Sequence, residues 1–375
     1  MPATRTTLRR SVAAAAALPL LIGALASCGY GSQAKGEKFG PVAKGEKIDG
    51  LDQVRIGYFA HVTHATALVG LQEGLIQKEL GGTEIKPQVF NAGPSEIEAL
   101  NAGAIDIGWI GPSPSINGFT KSKGQNLRII SGSASGGVSL VVNSDKITSL
   151  DDLKGKRIAT PQLGNTQDVA LLNHLSEKGL KVDAATGRGD VTVVRQDNRE
   201  IPASFESGAL DGAWVPEPTA SKLVADGGKV LLDEKQLWKD GKFVVTNVIV
   251  SQKFLKEHPD VVEAVLRGSV KTNAWINANP DRAKASVNRK LKADSGKELP
   301  ADVLDPAFKN VELLDNPLAS TLRDEADHAV KASLLKNPLL DGIYDLRLLN
   351  KVLKAEGQPA MDDAGLGVKQ PQQSS

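Results

Sequence analysis

A short motif occurs twice in this chain of 375 residues, as GAIDIGW at 103–109 and as GALDGAW at 208–214. Each copy follows an amphipathic helical stretch and runs into a segment that contains proline. A looser echo pairs Arg55-Ile56-Gly57 with Arg157-Ile158-Ala159. The two offsets are 105 and 102 residues, whereas the repeats of solenoid proteins have periods of about 20–50 residues. We therefore predict two similar lobes within one chain.

Strand-like and helix-like segments alternate through the first part of the chain. Short apolar runs predict strands at 54–59, 86–90, 105–110, 128–131 and 139–143, with helical spacing between several of them. This βαβαβ order predicts an α/β protein with a mostly parallel sheet. Beyond His258 we expect only helices, at 261–276, 281–291, 301–311, 319–335 and 346–355.

The charge balance limits the class of partner. Lys and Arg total 45 against 44 Asp and Glu, so no surplus of positive charge is available for binding nucleic acid phosphates. The single cysteine excludes an internal disulfide framework and any metal site built from several cysteines. We expect no nucleic acid partner and no cofactor.

The first 28 residues have the architecture of an export signal. Basic residues Arg5, Arg9 and Arg10 precede an apolar stretch from Val12 to Ala26 that is shorter than a membrane-spanning helix requires. Cys28 follows Leu25-Ala26-Ser27, an order that resembles a bacterial lipobox. We predict a lipoprotein signal at 1–27, acylation of Cys28, a flexible tether at 28–50 and a disordered tail at 357–375. A plain secretory signal is the alternative.

Four segments together resemble the extracytoplasmic solute-binding proteins of ABC importers. They are 90–95 (FNAGPS), 103–109, 152–156 (DLKGK) and 214–218 (WVPEP). The resembling branch serves alkanesulfonates, taurine, nitrate or bicarbonate. The resemblance implies a type II periplasmic-binding-protein fold, with two hinge crossings near 140–144 and 243–246. Lobe 1 would comprise 51–140 and 246–356, and lobe 2 would comprise 141–245. The implied partners are an ABC permease and its ATPase subunits, with the protein itself a monomer.

Turns between strands and helices supply the candidate anion site. Ligands of α/β sheets lie at the carboxyl ends of strands, where helix N-termini offer unpaired N–H groups and partial positive charge. Ordinary helix capping is the alternative role for any single turn. The candidates are Thr63, His64 and Ala65, then Gly111, Pro112 and Ser113, and then Asn165, Thr166 and Gln167. Asp197-Asn198 forms a fourth polar turn of this kind.

Two further candidates follow the second copy of the motif. Trp214 is expected either to close the core or to pack against an alkyl chain of the ligand. Glu217 is expected to be a surface charge or, if it faces the ligand, to bind an amine of the ligand or a metal ion. His61 and His64 have a spacing that some metal sites use, but Cys ligands are absent and a metal site is disfavoured.

An enzyme is the competing class. Related two-lobed folds serve desulfinating enzymes with a cysteine nucleophile and pyrimidine-forming enzymes with histidine and cysteine chemistry. Here the only cysteine lies in the signal, and no Ser/His/Asp signature or phosphate loop stands out. We therefore expect a binding protein that takes up a small organic sulfonate. Nitrate or bicarbonate binding is the runner-up, and a pyrimidine-related enzyme or binder is less favoured.

Overall fold

The computed structural model describes residues 45–369, which form two β-sheets covered by helices. The first sheet holds β1 (Gln53–Phe59), β2 (Glu84–Phe90), β3 (Ile107–Ile110), β4 (Leu127–Gly136), β10 (Val244–Ser251) and β11 (Val311–Leu313). The second sheet holds β5 (Val138–Val142), β6 (Arg157–Thr160), β7 (Thr192–Arg195), β8 (Gly212–Pro216) and β9 (Lys229–Asp233). We call the first sheet with the helices on it lobe 1, and the second sheet with its helices lobe 2.

Helices cover both sheets. Lobe 1 carries α1 (Ala65–Gln72), α2 (Leu75–Leu80), α3 (Gly93–Asn101), α4 (Pro112–Lys121), α8 (Gln252–Glu257), α9 (Pro259–Ala278), α10 (Pro280–Ser295), α11 (Ala301–Asn310), α12 (Leu322–Lys331) and α13 (Arg347–Ala355). Lobe 2 carries α5 (Thr166–Glu177), α6 (Ile201–Glu206) and α7 (Thr219–Ala225). No helix within 45–369 is both long enough and apolar enough to cross a membrane.

Proline determines where three of these helices begin. Pro112, Pro259 and Pro280 are the first residues of α4, α9 and α10. The ring fixes φ near the helical value, and the missing N–H would have no acceptor in the first turn. The predicted helices at 261–276 and 281–291 are therefore confirmed, each with slightly wider bounds.

The repeated motif makes the same contacts in both lobes. Asp106 accepts a hydrogen bond from the backbone N–H of Arg55 at 2.8 Å, and Asp211 accepts one from the backbone N–H of Arg157 at 2.9 Å. In each lobe this bond joins the motif to the start of the neighbouring parallel strand, and β1–β3 and β6–β8 pair in equivalent registers. The predicted two-lobed α/β architecture is confirmed.

Both sheets are mixed, which refines one expectation: four of the six strands of the first sheet and four of the five strands of the second run in one direction. The strand orders are β11-β4-β10-β3-β1-β2 and β7-β6-β8-β5-β9, and β10 runs antiparallel to both of its neighbours, as β5 does to its own. The reason lies in the connections. A strand that arrives from the other lobe must enter its sheet at the edge facing that lobe, where the parallel strands end.

The chain crosses between the sheets at positions that differ from the expected ones. β5 begins at Val138 and pairs with β8 and β9, so the first crossing is Gly136-Gly137 rather than 140–144. Both glycines have positive φ, of 75° and 69°, a conformation that residues with a side chain rarely adopt. The second crossing lies between Asp233 and Val244, mostly before the expected 243–246.

The helical C-terminal part contains one strand that we did not expect. Residues 311–313 form β11, which pairs antiparallel with β4, so the helix predicted at 301–311 ends at Asn310. The helix predicted at 319–335 is shorter, because a 3-10 turn at Ala319–Thr321 precedes α12. Residues 311–313 form a strand because the edge of β4 offers free backbone N–H and C=O groups to pair with. The sequence around 311–313 contains no sign of this distant partner.

Both ends of the described chain belong to the folded body. Ile48 is buried and Leu366 is fully buried, while the backbone N–H of Val368 donates to the carbonyl of Tyr344 at 2.9 Å. The prediction of a disordered tail is therefore wrong for 357–369, and the tether prediction is wrong for 45–50. Ile48 in the first segment packs in the core of lobe 1, as does Leu366 in the second, with Met361 and Ala364 packed against it. The predicted signal, Cys28 and residues 370–375 lie outside the described residues.

The core of each lobe lies behind the repeated motif. Trp109 and Trp214, which end the two copies, are both fully buried. Trp109 packs in the core of lobe 1 with Ile56 and Ile107, and Trp214 packs in the core of lobe 2. The cores position the carboxyl ends of β1 and β3, in the first sheet, opposite that of β8 in the second.

Candidate ligand site

A cavity of about 20 Å³ lies between the lobes, where β1, β3 and β8 end and α5 begins. This edge of an α/β sheet is where ligands bind, because the following helix N-termini point at it. The enclosed volume corresponds to about one water molecule. Twelve residues line it: Phe59, His61, Thr63, His64, Asn91, Gly111, Asn165, Thr166, Gln167, Asn198, Pro216 and Val245.

The turn after β1 forms the wall contributed by lobe 1. The backbone N–H of Phe59 donates to Nδ1 of His64 at 3.3 Å, so the neutral ring of His64 carries its hydrogen on Nε2. Burial lowers the pKa of His64 well below its usual value and lowers that of His61 to about 4. Both rings are therefore uncharged at neutral pH, and they act as neutral hydrogen-bonding groups.

The beginning of α5 forms the opposite wall. Asn165 precedes the helix and Thr166 is its first residue, and both side chains are buried. The hydroxyl oxygen of Thr166 has no hydrogen-bond partner, while Nδ2 of Asn165 donates to Oε1 of Gln167 at 2.8 Å. The first N–H groups of a helix have no acceptor within it and carry partial positive charge. This wall therefore offers donors to an anion.

Asp168 holds that helix end in place. Its carboxylate is buried and accepts hydrogen bonds from Oγ1 of Thr160 at 2.8 Å, from Nε of Arg195 at 2.8 Å and from the backbone N–H of Gly164 at 3.0 Å. These bonds tie the end of β6, the end of β7 and the turn before α5 to one group. The donors at the start of α5 are thus rigidly positioned.

Direct contacts between the lobes surround the cavity. The backbone N–H of Gly93 donates to Oδ1 of Asn165 at 3.2 Å, and Nδ2 of Asn198 lies 3.5 Å from Nε2 of His61. Gly111 approaches Thr166 so closely that a Cβ on Gly111 would lie 2.4 Å from the hydroxyl oxygen. The structure is therefore a closed state, with the lobes in contact on several sides of the cavity.

No side chain that lines the cavity carries a charge at neutral pH. The lining includes no Lys, Arg, Asp or Glu, and the neighbouring Asp197 pairs with Arg199 at 3.0 Å. Within 45–369 no group of three or more His, Cys, Asp or Glu side chains is placed to hold a metal ion. An arrangement of neutral donors and helix N-termini suits a small anion that accepts hydrogen bonds and does not titrate.

The structure brings together six of the candidate residues and leaves five away from the cavity. Those in the lining are Thr63, His64, Gly111, Asn165, Thr166 and Gln167. Those outside it are Ala65, Pro112, Ser113, Trp214 and Glu217. Ala65 and Pro112 are buried at the starts of α1 and α4, and the hydroxyl of Ser113 donates to Oε2 of Glu325 at 3.3 Å.

Trp214 and Glu217 have structural partners instead of the predicted ligand contacts. Nε1 of Trp214 donates to Oε2 of Glu234 at 2.7 Å, inside the core of lobe 2. Glu217 is buried and accepts hydrogen bonds from the hydroxyl of Ser221 at 2.9 Å and from Nδ2 of Asn310 at 2.7 Å. Burial raises the pKa of Glu217, and these bonds oppose the rise. Glu217 therefore ties lobe 2 to α11.

Six lining residues were not among the candidates. They are Phe59, His61, Asn91, Asn198, Pro216 and Val245. Asn198 lies in the turn at 197–198 after β7, which the sequence marks as a polar turn although its residues are not among the site candidates. Phe59, Pro216 and Val245 are strand residues without a polar signal. They reach the cavity only because the two sheets face each other.

The two α/β lobes and the enclosed site between them define the type II periplasmic-binding-protein class. The chain belongs to the NMT1-like family, whose model matches residues 49–290. The taurine-binding periplasmic protein of Escherichia coli K12 is 31% identical over 215 residues, which are 57% of this chain and 64% of that protein.

Solved structures show the same architecture. The alkanesulfonate-binding protein SsuA of Xanthomonas axonopodis pv. citri, bound to MOPS, matches with a TM-score of 0.62 at 25% identity, over 76% of this chain and 95% of that one. The periplasmic nitrate-binding protein NrtA of Synechocystis PCC 6803 matches with a TM-score of 0.67 at 16% identity, over 82% and 89% of the two chains. The second likeness shows the fold alone.

Proposed function

We propose that this protein is the extracytoplasmic solute-binding component of an ABC importer and that it captures a small organic sulfonate between its lobes. It would deliver this ligand to a membrane permease driven by ATPase subunits. The taurine-binding and alkanesulfonate-binding relatives support this proposal. We further propose that the protein acts as a monomer, binds without catalysing a reaction and is tethered to the outer face of the cell membrane through an acylated Cys28.

The observation that carries the proposal is the unpartnered hydroxyl of Thr166 at the N-terminus of α5, inside a cavity with no charged side chain. A buried hydroxyl without a partner costs free energy, and a ligand that accepts its hydrogen bond removes that cost. A sulfonate group is ionised at every physiological pH and only accepts hydrogen bonds. It therefore matches neutral donors and the partial positive charge of a helix N-terminus.

The size of the cavity favours a second candidate, which is a nitrate or bicarbonate ion. The space of about 20 Å³ is closer to the size of nitrate or bicarbonate than to that of an alkanesulfonate, although either kind of ligand would hold the lobes further apart than they are here.

A thermal-shift panel on the purified full chain separates the two candidates. Ethanesulfonate, butanesulfonate, taurine, nitrate and bicarbonate are added one at a time, and a ligand that binds only the folded protein raises its melting temperature. We expect the sulfonates to give the largest shifts. Larger shifts with nitrate or bicarbonate would replace the sulfonate proposal with the second candidate.

Variants of Thr166 connect the ligand to this cavity. Thr166→Val removes the hydroxyl at nearly constant volume and should weaken sulfonate binding about tenfold, since hydrogen bonds to charged groups contribute about 1.5–3 kcal/mol. Thr192→Val is the control, because Thr192 is exposed at the start of β7. Equal affinity in the wild type and both variants would show that the ligand binds elsewhere.

A further inference from the structure

A larger cavity, which we call the side cavity, lies between the lobes next to the candidate ligand site. Its volume is about 230 Å³, and Gly164 lines it while the neighbouring Asn165 lines the first cavity. Lobe 1 contributes α3, α4, α12 and the segment after α12, and lobe 2 contributes α5 and the turn before it. Pockets for drug-sized ligands have about 300–1,000 Å³, so the side cavity suits a smaller molecule.

One wall of the side cavity is polar and belongs to α4. Ser113, Asn117 and Lys121 recur at intervals of four residues, so they lie on one face of the helix. Within residues 45–369 the amide of Asn117 makes no hydrogen bond and the ammonium of Lys121 makes no ion pair, and Oδ1 of Asn117 is buried. In either orientation of the amide, this wall offers an N–H donor and a positive charge that no protein group uses.

The other walls of the side cavity are mainly aliphatic. Leu163 and Val169 come from lobe 2, and Leu334 and Leu335 follow α12 in lobe 1. Leu163 is 44% exposed to solvent, although it is a large apolar side chain. An aliphatic group placed here would remove this surface from water, which is favourable.

No negative side chain lines the side cavity, and the acids behind its walls have partners. Glu325 accepts a hydrogen bond from Ser113 at 3.3 Å, and burial raises the pKa of Glu325 well above its usual value. Asp168, below the turn before α5, pairs with Arg195 at 2.8 Å. The charge of Lys121 is therefore not opposed at this cavity, which favours an anionic head group over a cationic one.

We propose that the side cavity binds a small amphiphilic anion, which is a short aliphatic chain that carries one anionic head group. The head group accepts hydrogen bonds from Lys121 and Asn117, and the chain packs against the aliphatic walls. Because the walls come from both lobes, this molecule binds the closed state better than an open one. This inference goes beyond the proposed function and holds whichever anion occupies the first cavity.

Three probes separate the contributions of the head group and the chain. Hexanoate, 1-hexanol and acetate are titrated into the full chain by isothermal titration calorimetry. We expect hexanoate to bind at least about tenfold more tightly than the other two, since 1-hexanol lacks the charge and acetate lacks the chain. Binding of 1-hexanol or acetate as tight as that of hexanoate, or no binding of hexanoate, would overturn the inference.

Variants place hexanoate in the side cavity. Lys121→Gln should weaken hexanoate about tenfold and leave 1-hexanol unchanged. Lys123→Gln is the matched control, because it removes the same charge from an exposed residue that does not line the cavity. Equal hexanoate affinities in these two variants would refute the site. Weaker hexanoate binding in Thr166→Val would place the probe in the first cavity and would also refute it.

Coupling between the two cavities tests the position between the lobes. A molecule that favours the closed state should raise the affinity of the first cavity for its anion, so ethanesulfonate and nitrate are each titrated with and without saturating hexanoate. We expect the anion that binds to do so about fivefold more tightly with hexanoate. An unchanged or lower affinity would overturn the inference. Binding of hexanoate as predicted, but with no binding of ethanesulfonate, would refute the proposed function alone.

Discussion

The backbone N–H of Gly93, at the start of α3 in lobe 1, donates a hydrogen bond of 3.2 Å to Oδ1 of Asn165, just before α5 in lobe 2. The same Asn165 side chain donates from Nδ2 to Gln167, so it joins the two lobes at the wall of the cavity. Gly93 has no room for a side chain there, because a Cβ would lie 2.3 Å from Cγ of Pro114. This contact belongs to the closed state and must break when the lobes separate.

Asn165→Ala should shift the protein towards an open state. Loss of one hydrogen bond between the lobes should destabilise the closed state by about 1 kcal/mol relative to the open state, so ligand affinity should fall roughly fivefold. Small-angle scattering should show a larger radius of gyration without ligand, with little change in melting temperature. Asn101→Ala, at the exposed end of α3, is the control. An unchanged radius and affinity would mean that this contact does not hold the lobes together.

Gly111→Ala should prevent full closure. The added Cβ would lie 2.4 Å from Oγ1 of Thr166, while its next contacts, at 3.5 and 3.7 Å, are ordinary. We expect about a tenfold loss of ligand affinity at nearly constant melting temperature, because φ of Gly111 is −69° and suits alanine.

The double variant Gly111→Ala/Thr166→Ala tests that steric cause. Thr166→Ala removes the hydroxyl with which the new Cβ would clash. Gly111→Ala should therefore cause no further loss of affinity in a protein that already carries Thr166→Ala. Additive losses in calorimetric titrations would show that the two residues act independently.

Anion affinity should increase below about pH 5. Burial lowers the pKa of His61 to about 4, with Asp197 opposing and Arg199 assisting the shift, and His64 beside it is also neutral. A bound anion favours protonated His61, so affinity should be constant between pH 6 and 8 and rise as the pH falls towards 4. His61→Gln cannot take up this proton and should lose the increase. A similar increase in the variant would assign it to another group.

The stability of the protein should fall as the pH rises from about 4.5 to about 7. Burial raises the pKa of Glu234 to about 7, although Trp214 and Trp238 donate to its carboxylate. The unfolded state loses this proton first, near the usual value, so the stabilising difference is complete below pH 4.5 and lost above pH 7. The shift corresponds to about 3 kcal/mol.

Glu234→Gln isolates this contribution, because glutamine keeps an acceptor for Nε1 of Trp214. Urea unfolding at pH 5 and pH 8 should show a smaller decrease for the variant than for the wild type. Identical decreases in the two proteins would place the pH dependence on other buried acids, such as Glu325, whose pKa burial also raises.

Cys28→Ser should release the protein from the membrane fraction. Acylation of Cys28 is the proposed tether, and serine cannot form the thioether of a lipoprotein. Cells that produce the variant should therefore show it in the soluble extracytoplasmic fraction after a high-salt wash. Membrane association that resists this wash in the variant would contradict the lipoprotein prediction.

The local sequence predicted β1 to β5, the helices of the C-terminal part and three of the loops that form the site. The motif that ends in Trp109 and Trp214 revealed the duplication, because its residues recur in the same order in both copies. The turn before Thr166 could be identified because small polar residues between a strand and a helix mark a helix N-terminus. The repeat and the polar turns can be recognised because they depend on the identity and order of neighbouring residues.

Tertiary structure decided which side chains of those loops reach the cavity. Ser113 and Glu217 lie in the expected segments, but Glu325 and Asn310, which are distant in sequence, bind them instead. The strand β11 and the burial of Leu366 likewise depend on partners far along the chain. The spacing of apolar residues within a segment indicates a helix or a strand, and the polar residues at its ends indicate the caps. The direction of a buried polar side chain follows from which distant group satisfies its hydrogen bonds, and only the folded chain brings that group into reach.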